Sequence, residues 1–401
     1  MSTLEQICSK YVAAKTSAHS PQINSVIAGY TDKQRTNFLS AQGVKNVESH
    51  EKVSTDSVLC YYSCTKSMTA MAILILWDHG KVDLDAPAKK YLPLLGECGL
   101  IEDGQVDEET GNLKYPLKPV KTDITIRHLL LHMSGFAYII SHSSYYHIMT
   151  KKHIFTPSMK MFDPNIMPLV FEPGTDWVYG HSFDWLGLII EAVSGVKLSE
   201  FLRENVFSKA AMSSCTFQIH DASKIVQLHQ RTKDELKVFK AQLPVPLTAE
   251  VDMGGHGCFG TVDDYLKFLR IWLNYGTSPD TGNEILSRKA VEYAIQNHLS
   301  SGKTTDFPVP FADPKNGYSL IGCGYNVKAL ETGRPAGALH WAGLANLYFW
   351  LDFENGCAGF WGCQIMPYMD KVCVEGFAEF EAAVYQQHMS KTPRLQVSEK
   401  I

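Results

Sequence analysis

From Met68 to Trp77 the chain is apolar nearly all round, with Ala72, Ile73, Leu74, Ile75 and Leu76 in succession. Such a run suits a helix covered on every side, the centre of a fold rather than its surface. The spacing predicts a helix from Ser63 to His79, stopped by Gly80 in the position where glycine ends helices. At its entrance stands Ser63-Cys64-Thr65-Lys66. Residues three apart share a helix face, with Cβ atoms about 5–6 Å apart. A hydroxyl is a weak nucleophile until a base sits beside it. Ser63 and Lys66 supply that pair locally, and a helix start favours developing negative charge.

The 401 residues suggest two lobes, or one large domain with an insertion. A net charge of −5 gives no electrostatic case for nucleic acid or an anionic membrane surface. The opening Met-Ser-Thr-Leu-Glu-Gln-Ile-Cys lacks the basic and apolar regions of a secretory signal, and no apolar run approaches a membrane span. The ten cysteines are scattered with no Cys-x-x-Cys pair, which argues for buried free thiols and a cytoplasmic protein.

Strand signals lie at the two ends of the chain. Ile23–Tyr30 and Asn37–Gln42 read as a hairpin, and Leu339–Leu351 and Ala358–Ile365 as β-rich runs around the turn Asp352–Gly356. Helices are predicted at Leu4–Ala14, Thr125–His132, Phe183–Val193, Leu198–Val206, from Thr261 through Leu273, Ser287–Asn297 and Asp370–Gln387. Glu97–Lys121 reads as a surface excursion, and Ser141–Phe162 as a cap or loop without clear period. The simplest assembly is an α/β (α+β) fold in which an antiparallel sheet, flanked by helices, carries an inserted mainly helical lobe. Residues 1–62 with 250–401 form the sheet domain in this reading, 63–249 the lobe, and the active site lies in the cleft between them.

A serine–lysine pair also needs a proton shuttle and an oxyanion site. Tyr179, in Trp177-Val178-Tyr179-Gly180-His181, places a phenol at a helix entrance, where a lysine beside it would stabilise a phenolate base. The strand His340-Trp341-Ala342-Gly343-Leu344 has small residues that let backbone N–H groups approach a substrate and, with the Ser63 N–H, form an oxyanion hole.

In order and spacing, Ser63-x-x-Lys66, Tyr179-Gly180-His181 and the late glycine-containing strand resemble the serine β-lactamase and penicillin-binding-protein superfamily. Ile126–Phe136, Phe171-Glu172-Pro173-Gly174 and Phe183-Asp184-Trp185-Leu186-Gly187 fit the same pattern. Within the superfamily the chain is similar to the class C-like esterases and transesterases, above all the fungal acyltransferases of polyketide pathways, the lovastatin pathway's among them. The resemblance implies a β-lactamase/transpeptidase-like fold and a catalytic Ser63–Lys66–Tyr179 set. It puts Gly343 and Leu344, with Trp341 and His340 on the same strand, at the oxyanion and substrate positions; His181 either touches substrate or holds its loop, and Tyr138 opens the segment to Phe162 that shapes the pocket. Two departures matter. His181 stands where Tyr-x-Asn is usual, and Trp341-Ala342-Gly343 where Lys-Thr-Gly is usual. Trp341 offers no cation for a substrate carboxylate, so a neutral, apolar acyl group is expected rather than a β-lactam or peptidoglycan.

Other chemistries fare worse. His128 and His132 are four apart, but no glutamate follows His128 and they read as structural, so no metal is expected. Cys64 points away from the Ser63 face, and no Gly-x-Ser-x-Gly elbow occurs. The reading is therefore an acyltransferase or transesterase without a cofactor. It moves an acyl group from an ester or thioester donor to a small-molecule hydroxyl or amine, and an acyl carrier protein is a candidate partner. An esterase or thioesterase of the same fold is the alternative, and a non-catalytic binding protein the second.

Overall fold

Strands from the two ends of the chain pair with each other. The structure, a computed structural model, describes residues 1–13, 15–17, 20–233, 235–241, 245–299, 302–305, 307–311, 313 and 315–391. In chain order the elements that frame the site are α1 (Thr3–Ala13), β1 (Ser25–Asp32), β2 (Thr36–Gly43), α2 (Thr65–Asp78), α3 (Ile126–Leu130), α4 (Ser143–Lys151), α5 (Ser182–Ser194) and α6 (Val262–Leu273). They continue with β3 (Gly317–Tyr318), β4 (Gly324–Tyr325), β5 (Leu339–Gly343), β6 (Leu347–Asp352), β7 (Cys357–Gly362) and α7 (Lys371–Lys391). Residue Ala14, the predicted end of the first helix, lies outside the described residues.

The seven strands form one antiparallel sheet in the order β3-β4-β5-β6-β7-β1-β2. The hairpin β1–β2 docks through β1 onto β7, with Trp361 opposite Ala28. Both faces are covered, which explains why β6 and β7 read as continuous apolar runs: every residue in them is buried. Side chains alternate across the pleat. Phe349 and Phe360 pack on Tyr265 of α6, whereas Trp350 and Trp361 pack on Phe380 of α7. Tyr11 of α1 meets Trp361 on that second face.

Helix α2 is the buried centre that its sequence implied: Thr65 through Leu76 are all buried. It packs on α5, which ends at Gly195 in a left-handed cap (φ 78°). The short helix α3 starts with a complete capping box, in which the Thr125 hydroxyl accepts from the His128 N–H and the His128 ring accepts from the Thr125 N–H. Thr125→Ala is expected to lower stability by about 1 kcal/mol, read as a shift in urea midpoint at constant slope.

Three sequence expectations change. Leu339–Leu351 is two strands, not one run: the chain reverses at 344–346. Asn346 takes a left-handed φ of 62° there, and its side chain bonds the Ile365 and Pro367 carbonyls. The segment 141–162 is not all loop. It holds α4, whose Ser144, Tyr145, Ile148 and Met149 face inward. Short strands were also missed in the middle of the chain, where His229–Arg231 and Leu236–Val238 pair beside Ile365–Met366. At two or three residues each, they are too short to show a period.

Candidate active site

The turn that carries Ser63 is built by long-range contacts. Leu59–Cys60 pairs with Phe259–Gly260, and Tyr62–Cys64 forms a 3₁₀ turn leading into α2. Tyr62, buried beside the nucleophile, has a left-handed φ of 47°. This conformation is strained for a residue with a side chain. The segment 254–258 clasps the turn. The Tyr61 N–H donates to the Cys258 carbonyl (2.9 Å), the Cys258 N–H to Thr65 Oγ1 (3.1 Å), and Thr69 Oγ1 to the Gly254 carbonyl (2.7 Å). On the other side Gly343 comes so close that a Cβ there would lie 2.6 Å from the Tyr61 carbonyl oxygen.

Lys66 is wholly buried. Its Nζ lies 3.2 Å from Ser63 Oγ, 3.1 Å from Tyr138 Oη and 2.8 Å from the Gly255 carbonyl oxygen. Burial penalises the ammonium and pulls Lys66 down to about 7, against the opposing pull of Asp184. Tyr179 sits with its ring centroid 4.7 Å from Lys66 Nζ and accepts a hydrogen bond from Trp341 Nε1 (3.3 Å). Burial raises its phenol, while hydrogen bonds from Ser63 and Trp341 work the other way. The expected Tyr179 phenolate is therefore corrected to a neutral phenol, and the group that titrates near neutrality is the lysine.

The centre opens into a cavity of about 900 Å³. Ser63, Tyr138, Tyr179, His181, Gly343 and Leu344 line it, together with Ile139, Met149, Ile154, Phe155, Met161 and Phe307. No Lys, Arg, Asp or Glu is among its described lining residues. The apolar wall draws on Met149, Ile154, Phe155, Pro157 and Met161 of the 141–162 segment and not on Trp341. Trp341 and His340 are off the wall, a correction of the sequence reading. Trp341 stands behind Tyr179, and His340 is buried against Gly324 with its Nε2 3.2 Å from Asn316 Nδ2. Adjacent strand residues point to opposite faces, so both could not face the cavity. Cys64 is buried, with its thiol pushed well up by burial, and is no nucleophile. His128 and His132 do not converge: one closes the α3 capping box, and the other is buried against the Tyr179 ring at 4.8 Å.

Sequence reasoning missed the layer behind Lys66. Asp184, in the first turn of α5, is buried and bonds His181 Nδ1 through Oδ2 (2.9 Å). Its Oδ1 accepts the Gly255 N–H (2.8 Å) and lies 3.6 Å from His256 Nδ1. The available signals were an acidic residue at a helix start and the run Gly254-Gly255-His256-Gly257.

The site thus brings together a serine hydroxyl at the entrance of a buried central helix, a lysine one turn on, a tyrosine from a second loop and a strand opposite. The chain belongs to the Beta-lactamase family, whose model matches residues 6–383. Relatives include the Monacolin J acid methylbutanoyltransferase of Aspergillus terreus, 25% identical over 88% of each chain. The acyltransferase calJ of Penicillium decumbens is 27% identical over 92% of this chain and 94% of its own. The lovastatin esterase of Penicillium rubens is 26% identical over 92% and 95%. Among solved structures, a mutant simvastatin synthase from Aspergillus terreus superposes with a TM-score of 0.83 at 22% identity, over 96% of this chain and 95% of that one. EstCE1, a hydrolase with promiscuous acyltransferase activity, gives 0.75 at 20% identity, over 96% and 100%. Among the described residues no helix is long and apolar enough to cross a membrane.

Proposed function

We propose that this chain is a serine acyltransferase. It passes an acyl group through an acyl-Ser63 intermediate, from an ester or thioester donor to the hydroxyl or amine of a small natural product of polyketide type. The observation that carries the reading is Lys66 Nζ 3.2 Å from Ser63 Oγ at the floor of a cavity with no charged side chain on its described wall. The relatives named as acyltransferases support transfer. The donor arrives free or on an acyl carrier protein, and ten free thiols support a cytoplasmic setting.

The first step pairs neutral Lys66 with the Ser63 hydroxyl. The Oγ–H bond breaks as Nζ–H forms, and Oγ bonds to the donor carbonyl carbon while the carbonyl π pair moves onto oxygen. We assign the oxyanion to the N–H of Ser63, in a first helical turn, and to that of Gly343 or Leu344 at the strand end. Collapse expels the alcohol or thiol. Neutral Tyr179 protonates it and is refilled from the Lys66 ammonium. The acceptor reverses these steps. Acyl and acceptor would then share the cleft between the sheet domain (1–62 with 250–401) and the lobe (63–249).

Intact-mass spectrometry with acyl thioesters tests this. The expected result is an adduct on the native chain, none on Ser63→Ala, and faster discharge when a hydroxylated acceptor is added. An adduct on Ser63→Ala overturns the nucleophile. Discharge indifferent to every acceptor would favour the esterase or thioesterase, which the lovastatin esterase among the relatives keeps as the second reading.

A further inference from the structure

We propose that Asp184 is a positioning residue for the nucleophilic centre: pinning the Gly255 backbone against Lys66, its carboxylate supplies the buried counter-charge for the ammonium that Lys66 becomes when it takes the Ser63 proton. The inference rests on the reading of Ser63 and Lys66 given above.

Gly255 links the two groups through both of its backbone polar atoms. Asp184 Oδ1 accepts the Gly255 N–H at 2.8 Å, and the carbonyl of the same residue accepts from Lys66 Nζ at 2.8 Å. These two groups belong to successive peptide units, so the link is positional: the carboxylate pins Gly255 with its carbonyl aimed at Nζ, and its charge reaches the ammonium through space. The glycine is required by space. A Cβ at 255 would lie 2.7 Å from Asp184 Oδ1 and 3.0 Å from Tyr138 Oη, so a side chain would push the carboxylate off the amide or the phenol off the lysine. His181 Nδ1 holds the second carboxylate oxygen at 2.9 Å and fixes the group in place.

The charges around Lys66 then sort simply. Tyr138 and Tyr179 are neutral phenols, since burial raises both. Burial also keeps His132 and His256 neutral and Cys64 a thiol. Desolvation raises the Asp184 carboxyl, but its partners, the hydrogen-bonded His181 ring included, hold it down to about 2, so it stays ionised at working pH. Among these neighbours the carboxylate is the formal charge that answers the ammonium. A buried ammonium without a counter-charge is costly, and the charge appears only as the proton moves. The carboxylate therefore favours the transition state over the resting centre.

The test reads the rate of Ser63 phosphonylation by a fluorophosphonate against pH, so it needs no natural substrate. The native enzyme is expected to lose rate as pH falls through about 7, where Lys66 gains its proton. Asp184→Asn keeps the size and an acceptor for the Gly255 N–H but removes the charge. The ammonium becomes less stable, so the acid limb should move down by about one pH unit, and the plateau should fall about tenfold. If Asp184→Asn does not melt cooperatively, Asp184→Ser is read by the same titration. A slower variant with an unmoved limb, or a limb moved upward, overturns the proposal and leaves Asp184 a structural residue. Labelling that survives in Ser63→Ala overturns the underlying reading instead, so the two failures are distinct.

Discussion

Replacing Lys66 with methionine is expected to slow acylation of Ser63 by about 10³–10⁴-fold, at the upper end of what a positioned general base contributes. The size follows from the double use of one amine. In the proposed mechanism it takes the Ser63 proton across 3.2 Å and then refills Tyr179, so both proton transfers fail together. Fold loss is not the cause. Methionine is close in length and suits a site with no exposure. It gives up the hydrogen bond to the buried Gly255 carbonyl but also removes a buried amine, two effects of opposite sign and about 1–3 kcal/mol each. The melting transition should therefore stay cooperative and near that of the native protein. The acid limb near pH 7 should vanish, because the amine assigned to it is gone. Phosphonylation within tenfold of the native rate would remove Lys66 from the mechanism.

The second large effect is expected at Gly180, beside the shuttle. A Cβ there would lie 2.0 Å from the Phe136 carbonyl oxygen and 2.5 Å from Ala137 Cα. Both are backbone atoms, and neither can yield without breaking the pairing that holds Tyr179. In that pairing the Tyr138 N–H donates to the Tyr179 carbonyl at 3.3 Å, and the Gly180 N–H to His132 Nδ1 at 3.4 Å. Gly180→Ala should cost about 3 kcal/mol of stability, as overpacking against rigid neighbours does. It should also cut acylation about 10²-fold, since a displacement near 1 Å at the reacting groups is worth that much. Urea unfolding and the same labelling rate measure the two effects. A variant that unfolds at the native midpoint would mean that the two loops have room to part.

The legible parts of this chain are those with local causes. Ser63 and Lys66 share one helical turn, the apolar run after them demands burial, and the Gly80 and Gly195 stops announce helix ends. The β1–β2 hairpin carries its own turn. The illegible parts depend on what arrives from far away. Asp184 and Gly255 are 71 positions apart and meet only because α5 and the 254–258 segment both pack around the first turn of α2. Nothing near Tyr179 in sequence says that its phenol is buried deeply enough to stay neutral. His340 and Trp341 looked alike on an apolar strand, and only the pleat of β5 between its neighbours sends Trp341 behind Tyr179 and His340 to Asn316 on the other face. Apolar faces on both sides of the sheet removed the alternation that would have marked the turn at 344–346.

The order of the sheet has a consequence for how the molecule comes into being. The first hairpin, made early in synthesis, finds its neighbour only in β7, more than 300 residues later. Until then β1 presents an unpaired edge, and the wall of the catalytic cleft formed by β5 is also unmade. Contacts this distant in sequence close slowly and leave edges exposed to wrong partners. A ribosome stalled between residues 66 and 357 would therefore carry a chain that holds Ser63 and Lys66 without the sheet that closes around them.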